Sequence, residues 1–347
     1  MDLLHTQFEK ALTNVEVNGE KRQRAITAHT EIQNVLNADD LLRAWGISTR
    51  LIGSYGRHTG IYPGKDVDVF ARLEALDASA SPEAVYNAVE SALVREYGHV
   101  RGGGRVTPQA RSIKVSFPDA KGNPDFAVDA VPAVRYGPLW AIPARDRSLW
   151  TQIPSRWIAT NPERFSELSV ALNQAQWSPS VKGQGAYKPI VKLMRQVREV
   201  HLADQKPGGL YVEFAVYDVW RSGLVSGSEW GVLLSATLRT VAQRFNRAPS
   251  EPLLDPGLDT PVHPALSQRE WGIAANVFHG LAQRAEEALR ASRCAAAKAW
   301  REILGKNARG EVLPLPPGCD AAGFAIVATG GAGLGMGAGQ QEASGFG

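Results

Sequence analysis

Cysteine is scarce. Two residues in 347, Cys294 and Cys319, are too few for a disulfide framework or a cysteine-rich zinc module, and the scarcity points to a reducing cytoplasm. No apolar run approaches the roughly 18 residues a membrane span needs, so no membrane association is expected, and Met1-Asp2-Leu3-Leu4-His5 lacks a signal-peptide layout. A strong net charge is missing as well. At +3 the balance is too mild to argue for nucleic-acid binding, though it permits a local basic pocket. What remains is an ordinary globular composition, 44% hydrophobic and 21% charged, in a chain long enough for two domains with separate cores.

Residues 2–13 show helical apolar spacing through Leu3, Leu4, Phe8 and Leu12. After Asn18, the apolar steps from Glu20 to about Trp45 predict one long helix that Gly46 terminates. Ile47 to Ile52 reads as a strand, and Ser81-Pro82-Glu83 as the capped start of a helix running to Tyr97. Three further strands are expected over 100–106, 112–117 and 126–134, the last two separated by a turn at 119–124. Past about residue 165, helices dominate: 162–176, 189–203, 210–222, 230–246 and 267–298. The expected division is therefore a mixed α/β region over 1–165, a helical domain over 166–328 and a glycine-rich tail over 329–347. So much glycine cannot offset the entropy of ordering, which predicts a flexible tail.

The chemistry concentrates in 53–70. Gly53-Ser54 is a strand-to-helix turn where glycine lets backbone approach a ligand and the following amides suit a phosphate. In Asp66-Val67-Asp68-Val69, period-two alternation puts both carboxylates on one face and both valines on the other. Two like charges so close repel, and a hard divalent cation removes the conflict. Asp129 is the third carboxylate, sharing a strand face with Ala127 and Val131; Asp125 is its competitor but lies in the turn after Pro124. Asp66, Asp68 and Asp129 are thus the expected catalytic and metal residues. They would hold two Mg²⁺ ions, with Mn²⁺ as a substitute, for in-line attack on an α-phosphorus with pyrophosphate leaving.

Gly53, Ser54, Lys188, Lys192 and Arg195 are the expected nucleotide-binding residues, the last three from one face of a helix over 188–195. Arg95, Arg101, Arg105, Arg111 and Lys114 lack interleaved aromatics and read as a solvated surface rather than a nucleic-acid contact. His58 reads as a loop residue and Cys294 as a structural one.

Gly53-Ser54, Asp66-Val67-Asp68 and Asp129 together resemble the polymerase-β-like nucleotidyltransferase superfamily, and within it the bacterial cGAS/DncV-like nucleotidyltransferases (CD-NTases) of CBASS anti-phage systems. Val128-Asp129-Ala130-Val131-Pro132, the segment 157–165 and the Lys-rich helix 188–195 add to the likeness, which covers about 45–220. The resemblance implies an α+β fold: a nucleotidyltransferase core of mixed sheet and flanking helices, with a C-terminal helical domain closing a cleft. It implies a synthase that makes from nucleoside triphosphates a cyclic di- or trinucleotide second messenger, which in turn activates a downstream effector. The alternative is a linear 2′–5′ oligonucleotide synthase, or transfer to RNA, protein or a small molecule. At Gly208-Gly209-Leu210-Tyr211 the chain departs from the family, which often has a polar group there. The animal relatives' zinc thumb cannot be built from two cysteines, so direct DNA sensing by that route is not expected. In some such systems an E1/E2-like conjugation enzyme acts on the synthase's last residue, which makes Gly347 a candidate conjugation site, against a plain disordered terminus.

Overall fold

The computed structural model describes residues 4–64, 66–119, 122, 124–262 and 266–326. The glycine tail and Gly347 lie outside the described residues. Helix α1 (His5–Val15) leads to α2 (Gly19–Ala38), whose N-terminus Asn18 caps by accepting from Lys21 N at 2.9 Å. The single long helix expected here is in fact two. Asp39 turns extended and its carboxylate accepts from Leu42 N at 2.8 Å, starting a new helix, α3 (Asp40–Ala44). An aspartate that can cap its own downstream turn interrupts a helix as readily as it sits in one.

The next elements build the sheet. They are β1 (Ile47–Ile52), α4 (Gly53–Arg57), β2 (Asp66–Asp77), α5 (Pro82–Tyr97), β3 (Val106–Pro108), β4 (Ile113–Pro118), β5 (Pro124–Tyr136), β6 (Leu139–Pro143) and β7 (Trp157–Thr160). Ser81 caps α5 as the sequence predicts, accepting from Ala84 N. The strand expected over 100–106 is mostly a short 3₁₀ turn, Val100–Gly102, before β3. Strands β6 and β7 carry no clear alternation in the sequence.

The strand order is β1-β2-β5-β4-β3, with β6 on β5 and β7 on β6. Strands β2 and β5 run parallel, and their register sets Asp68 beside Asp129 and Val67 beside Val128. Alternation then sorts the two faces. Val67, Val69, Ala71 and Leu73 join Val128 and Ala130 in a core beneath α2 and α5, while Asp66, Asp68 and Asp129 point the other way. Asp125 belongs to β5 rather than to a turn. It pairs with Lys21 at 3.2 Å and with Arg24.

A second core is helical: α6 (Pro162–Gln174), α7 (Tyr187–Leu202), α8 (Gly209–Arg221), α9 (Trp230–Arg247), α10 (Gln268–Arg290) and α11 (Arg293–Leu304). Extended backbone at Ala291 and Ser292 splits the helix expected over 267–298. Leu4, which precedes α1, and Phe8, Ala11 and Val15 of α1 are buried in this helical core, Phe8 lying edge-on to Trp300. The two cysteines, 25 residues apart, are joined: Cys294 and Cys319 form a disulfide with 5.2 Å between Cα atoms. Cys294 is therefore a crosslink rather than a simple packed thiol. Nothing in the local spacing announced it, because the partner is delivered by the chain's return along α11. Among the described residues, no helix is long and apolar enough to cross a membrane.

Candidate active site

Gly53 opens α4 with φ +64, a left-handed conformation that glycine adopts at no steric cost. A Cβ there would stand 1.9 Å from Asp68 Oδ2, so the carboxylate is seated directly against the glycine backbone. Ser54 follows on the same short helix. It lines two cavities at once, one on each side of the turn.

The larger cavity, about 620 Å³, lies between the sheet face and the helical core. Its walls include Ser54, Asp68, Asp129, Arg195, Leu210 and Phe214. That volume falls in the range of small-molecule and cofactor sites, roughly 300–1,000 Å³. Burial pushes the Asp129 carboxyl up to about 6, with the charges of Asp68 and Asp66 adding and Lys114 opposing. Burial likewise raises Asp68, partly offset by Arg57 and reinforced by Asp66. Asp129 Oδ1 is buried with no hydrogen-bond partner, which is costly for a carboxylate oxygen unless a cation or a proton meets it. Among the described residues, no three His, Cys, Asp or Glu side chains stand at metal-ligand spacing. The fit to a divalent cation rests instead on the charge set and the orphaned oxygen.

The smaller cavity lies behind Ser54 and is lined by Glu16, Val17, Arg22, Tyr55, His58, Gly60 and Lys192. Lys192 pairs with Glu16, and Arg22 meets the His58 ring at 3.0 Å. Burial lowers the His58 pKa, with Lys188, Arg22 and Lys192 adding to the shift. Burial also lowers Lys188, helped by Lys192 and Arg57. The cations crowd one another, and an anion entering here would relieve that repulsion.

The basic face of α7 is thus divided. Lys192 lines the small cavity and the charge of Lys188 acts on His58 beside it, whereas Arg195 lines the large one and pairs with Glu213. Two arginines and a threonine converge on that glutamate. Arg57 Nε donates to it at 2.8 Å, and Thr59 Oγ1 donates to both oxygens at 3.1 and 3.2 Å. Arg57 also stacks on Phe165, 4.8 Å from the ring centroid.

Sequence reasoning missed Glu213, Arg22 and the two cations of β4's end. Arg111 lines the large cavity and Lys114 sits opposite Asp129 in the β4–β5 register, so neither belongs to the plain surface set. Arg95, by contrast, pairs with Asp39, and Arg105 stacks on Tyr97 at 4.4 Å. Alternation along 111–117 was the available signal for Lys114, since Ile113 and Val115 occupy the buried face.

Residues 1–173 match the family described as Second Messenger Oligonucleotide or Dinucleotide Synthetase domain. A cyclic AMP-AMP-AMP synthase of an Acinetobacter species is 28% identical over 221 residues, 60% of this chain and 57% of that protein. The match therefore spans little more than half of that relative's length. The solved structure of the Bradyrhizobium diazoefficiens CD-NTase CdnG in complex with GTP has a TM-score of 0.64 at 16% identity, covering 88% of this chain and 95% of that one. E. coli MS115-1 CdnC with ATP gives 0.64 at 14%, covering 87% and 98%. The Vibrio cholerae DncV cyclic AMP-GMP synthase bound to a linear intermediate gives 0.54 at 16%, covering 87% and 86%. At these identities the solved structures show a shared α+β fold.

Proposed function

We propose that the chain, whose residues 1–173 match the Second Messenger Oligonucleotide or Dinucleotide Synthetase domain, is a CD-NTase that joins nucleoside triphosphates into a cyclic oligonucleotide with release of pyrophosphate. The observation that carries the reading is the register of β2 on β5. It sets Asp68 beside Asp129, against the Gly53 turn, with Ser54 between a nucleotide-sized cavity and a cationic one.

In this reading Asp66, Asp68 and Asp129 would hold divalent cations, Mg²⁺ or Mn²⁺. When bound, these supply neutralisation of phosphate charge and acidification of the attacking hydroxyl. The protein's own groups do the rest. Ser54 and the amides that open α4 meet the phosphates, so the nucleoside lies in the large cavity and the phosphate tail points to Lys188, Lys192, Arg22 and His58. That orientation puts the leaving pyrophosphate among cations, where its developing charge is stabilised. Asp129 Oδ1, buried without a hydrogen-bond partner, is the oxygen a divalent cation would meet, and burial raises the carboxyl to about 6 while no such cation offsets its charge. Leu210, Phe214 and Val262 supply an apolar wall for a base.

The product is read as a second messenger for an effector in anti-phage defence, with residues 1–165 as the catalytic unit and 166–328 closing over it. Incubation with four labelled triphosphates and Mg²⁺ tests the reading. A product resistant to phosphatase and exonuclease, identified by mass spectrometry, is the expected result. Linear oligomers, or label attached to a macromolecule, would reject cyclisation.

A further inference from the structure

The loop 58–64 joins the Ser54 turn to Asp66, so its path decides where the carboxylates of β2 begin. Its inner side is tied to the site. Gly60 N donates to Ser54 O at 3.1 Å, Thr59 to Glu213, and the Tyr55 hydroxyl to Gly64 O at 3.2 Å. Its outer side is held from both ends of the chain. Tyr62 N donates to Val15 O at 2.8 Å, and Ile61 bridges to Glu16 just after α1.

The other hold comes from more than two hundred residues away. Beyond α11, Lys306–Asn307 and Gly310–Glu311 pair as a tight hairpin with Arg309 at its tip. The Arg309 guanidinium lies 3.7 Å from the Tyr62 ring centroid. Its Nη1 donates to Glu16 O at 2.9 Å and, at a longer 3.4 Å, to Asn14 O. The hairpin is itself fastened to the same turn: Asn307 Nδ2 donates to Asn14 O, and Asn14 Nδ2 to Val312 O, both at 2.9 Å.

We propose that Arg309 is a positioning residue for the loop 58–64, and through it for Asp66 and Asp68, in the reaction proposed above and resting on that reading. Arg309 is exposed and lines neither cavity next to Ser54, so its own contribution to global stability is small. Its geometry is what matters. A planar guanidinium that stacks on a ring while donating to main-chain carbonyls fixes Tyr62 laterally, and an ammonium reproduces only part of that. Glu16, whose carbonyl it holds, also places its carboxylate on Lys192. One clamp therefore orders both the start of the acidic strand and the cationic pocket. Catalysis is sensitive to such placement, because a misplacement of about 1 Å costs on the order of 10²-fold.

The test compares full-length wild type with Arg309→Ala, Arg309→Lys and Tyr62→Ala by amide hydrogen exchange, steady-state kinetics and thermal unfolding. Arg309→Ala is expected to exchange roughly tenfold faster at Tyr62 and its loop, with kcat lowered about tenfold and the melting temperature unchanged. Arg309→Lys should recover part of both, and the Arg309→Ala/Tyr62→Ala double variant should be no slower than either single one. Unchanged exchange in Arg309→Ala, faster exchange with kcat intact, or a rise in KM alone would overturn the proposal. Should Arg309→Ala fail to fold, Tyr62→Ala decides on the same criteria, since it removes the ring and leaves the carbonyl contacts in place. A wild type that makes no oligonucleotide defeats the functional reading instead, while the exchange data still judge the clamp.

Discussion

Arg57 Nε donates to Glu213 Oε2 across 2.8 Å, and neither side chain is more than 5% exposed. The bond ties the Ser54 helix to α8, between the sheet and the helical core, with Arg195 and Thr59 completing the glutamate's shell. Two charges this deep are tolerated only because each is met by the other. Glu213→Ala leaves Arg57 buried without its counter-charge and should cost roughly 3–5 kcal/mol in urea unfolding.

The same carboxylate has a pH signature. Burial pulls the Glu213 pKa up, but Arg57 and Arg195 outweigh burial and the net shift is downward. The stability it supplies is therefore complete above the ordinary glutamate value of about 4.3 and is lost as pH falls through the lower folded value. Unfolding followed from pH 7 to 3 should show an acid limb that is shallower in Glu213→Gln.

Asp129 carries the opposite sign. Its carboxyl is raised to about 6, first by burial and then by Asp68 and Asp66, so ionisation works against the fold as pH rises through that value. Asp129→Asn should abolish synthesis yet raise the melting temperature of the metal-free protein at pH 7.5, with a smaller gain at pH 4.5. Added Mg²⁺ should stabilise wild type and not the variant. Equal melting at both pH values would contradict the assignment.

Gly53→Ala puts a methyl 1.9 Å from Asp68 Oδ2 and 2.8 Å from its Cγ, at a φ of +64 that alanine resists. The carboxylate must move. A kcat loss of about 10²-fold, with circular dichroism retained, is the expected outcome.

Lys192 lines the small cavity behind Ser54 and pairs with an exposed carboxylate, Glu16. If it grips the phosphate tail in ground and transition states alike, Lys192→Ala should raise the KM for triphosphates roughly tenfold at nearly constant kcat. Arg195→Ala, which breaks the Glu213 cluster, should lower stability as well. Saturation kinetics and melting curves separate the two.

Much of the site was legible because its chemistry is local. Gly53-Ser54 announces a turn, and the alternation in Asp66-Val67-Asp68-Val69 assigns carboxylates and valines to opposite faces before any partner is known. Strand β1 and the Ser81-capped α5 were equally readable, since caps and short apolar runs act over a few residues. Reading failed where two local tendencies compete. Asp39 serves a helix interior poorly and a cap well, so one apparent helix became two.

What no local pattern contains is who meets whom. Residue types and their alternation were enough to nominate Asp66, Asp68 and Asp129, but the parallel register of β2 on β5 is what sets Asp68 beside Asp129. Glu213 looked like any helical glutamate until folding brought it to Arg57, 156 residues earlier. The same holds for Lys114 across from Asp129, for Cys294 with Cys319, and for Arg309 on Tyr62. Periodicity encodes which face a side chain takes, because that depends on its own backbone. Pairing across the molecule depends on how separate elements pack, and packing leaves no period in the chain.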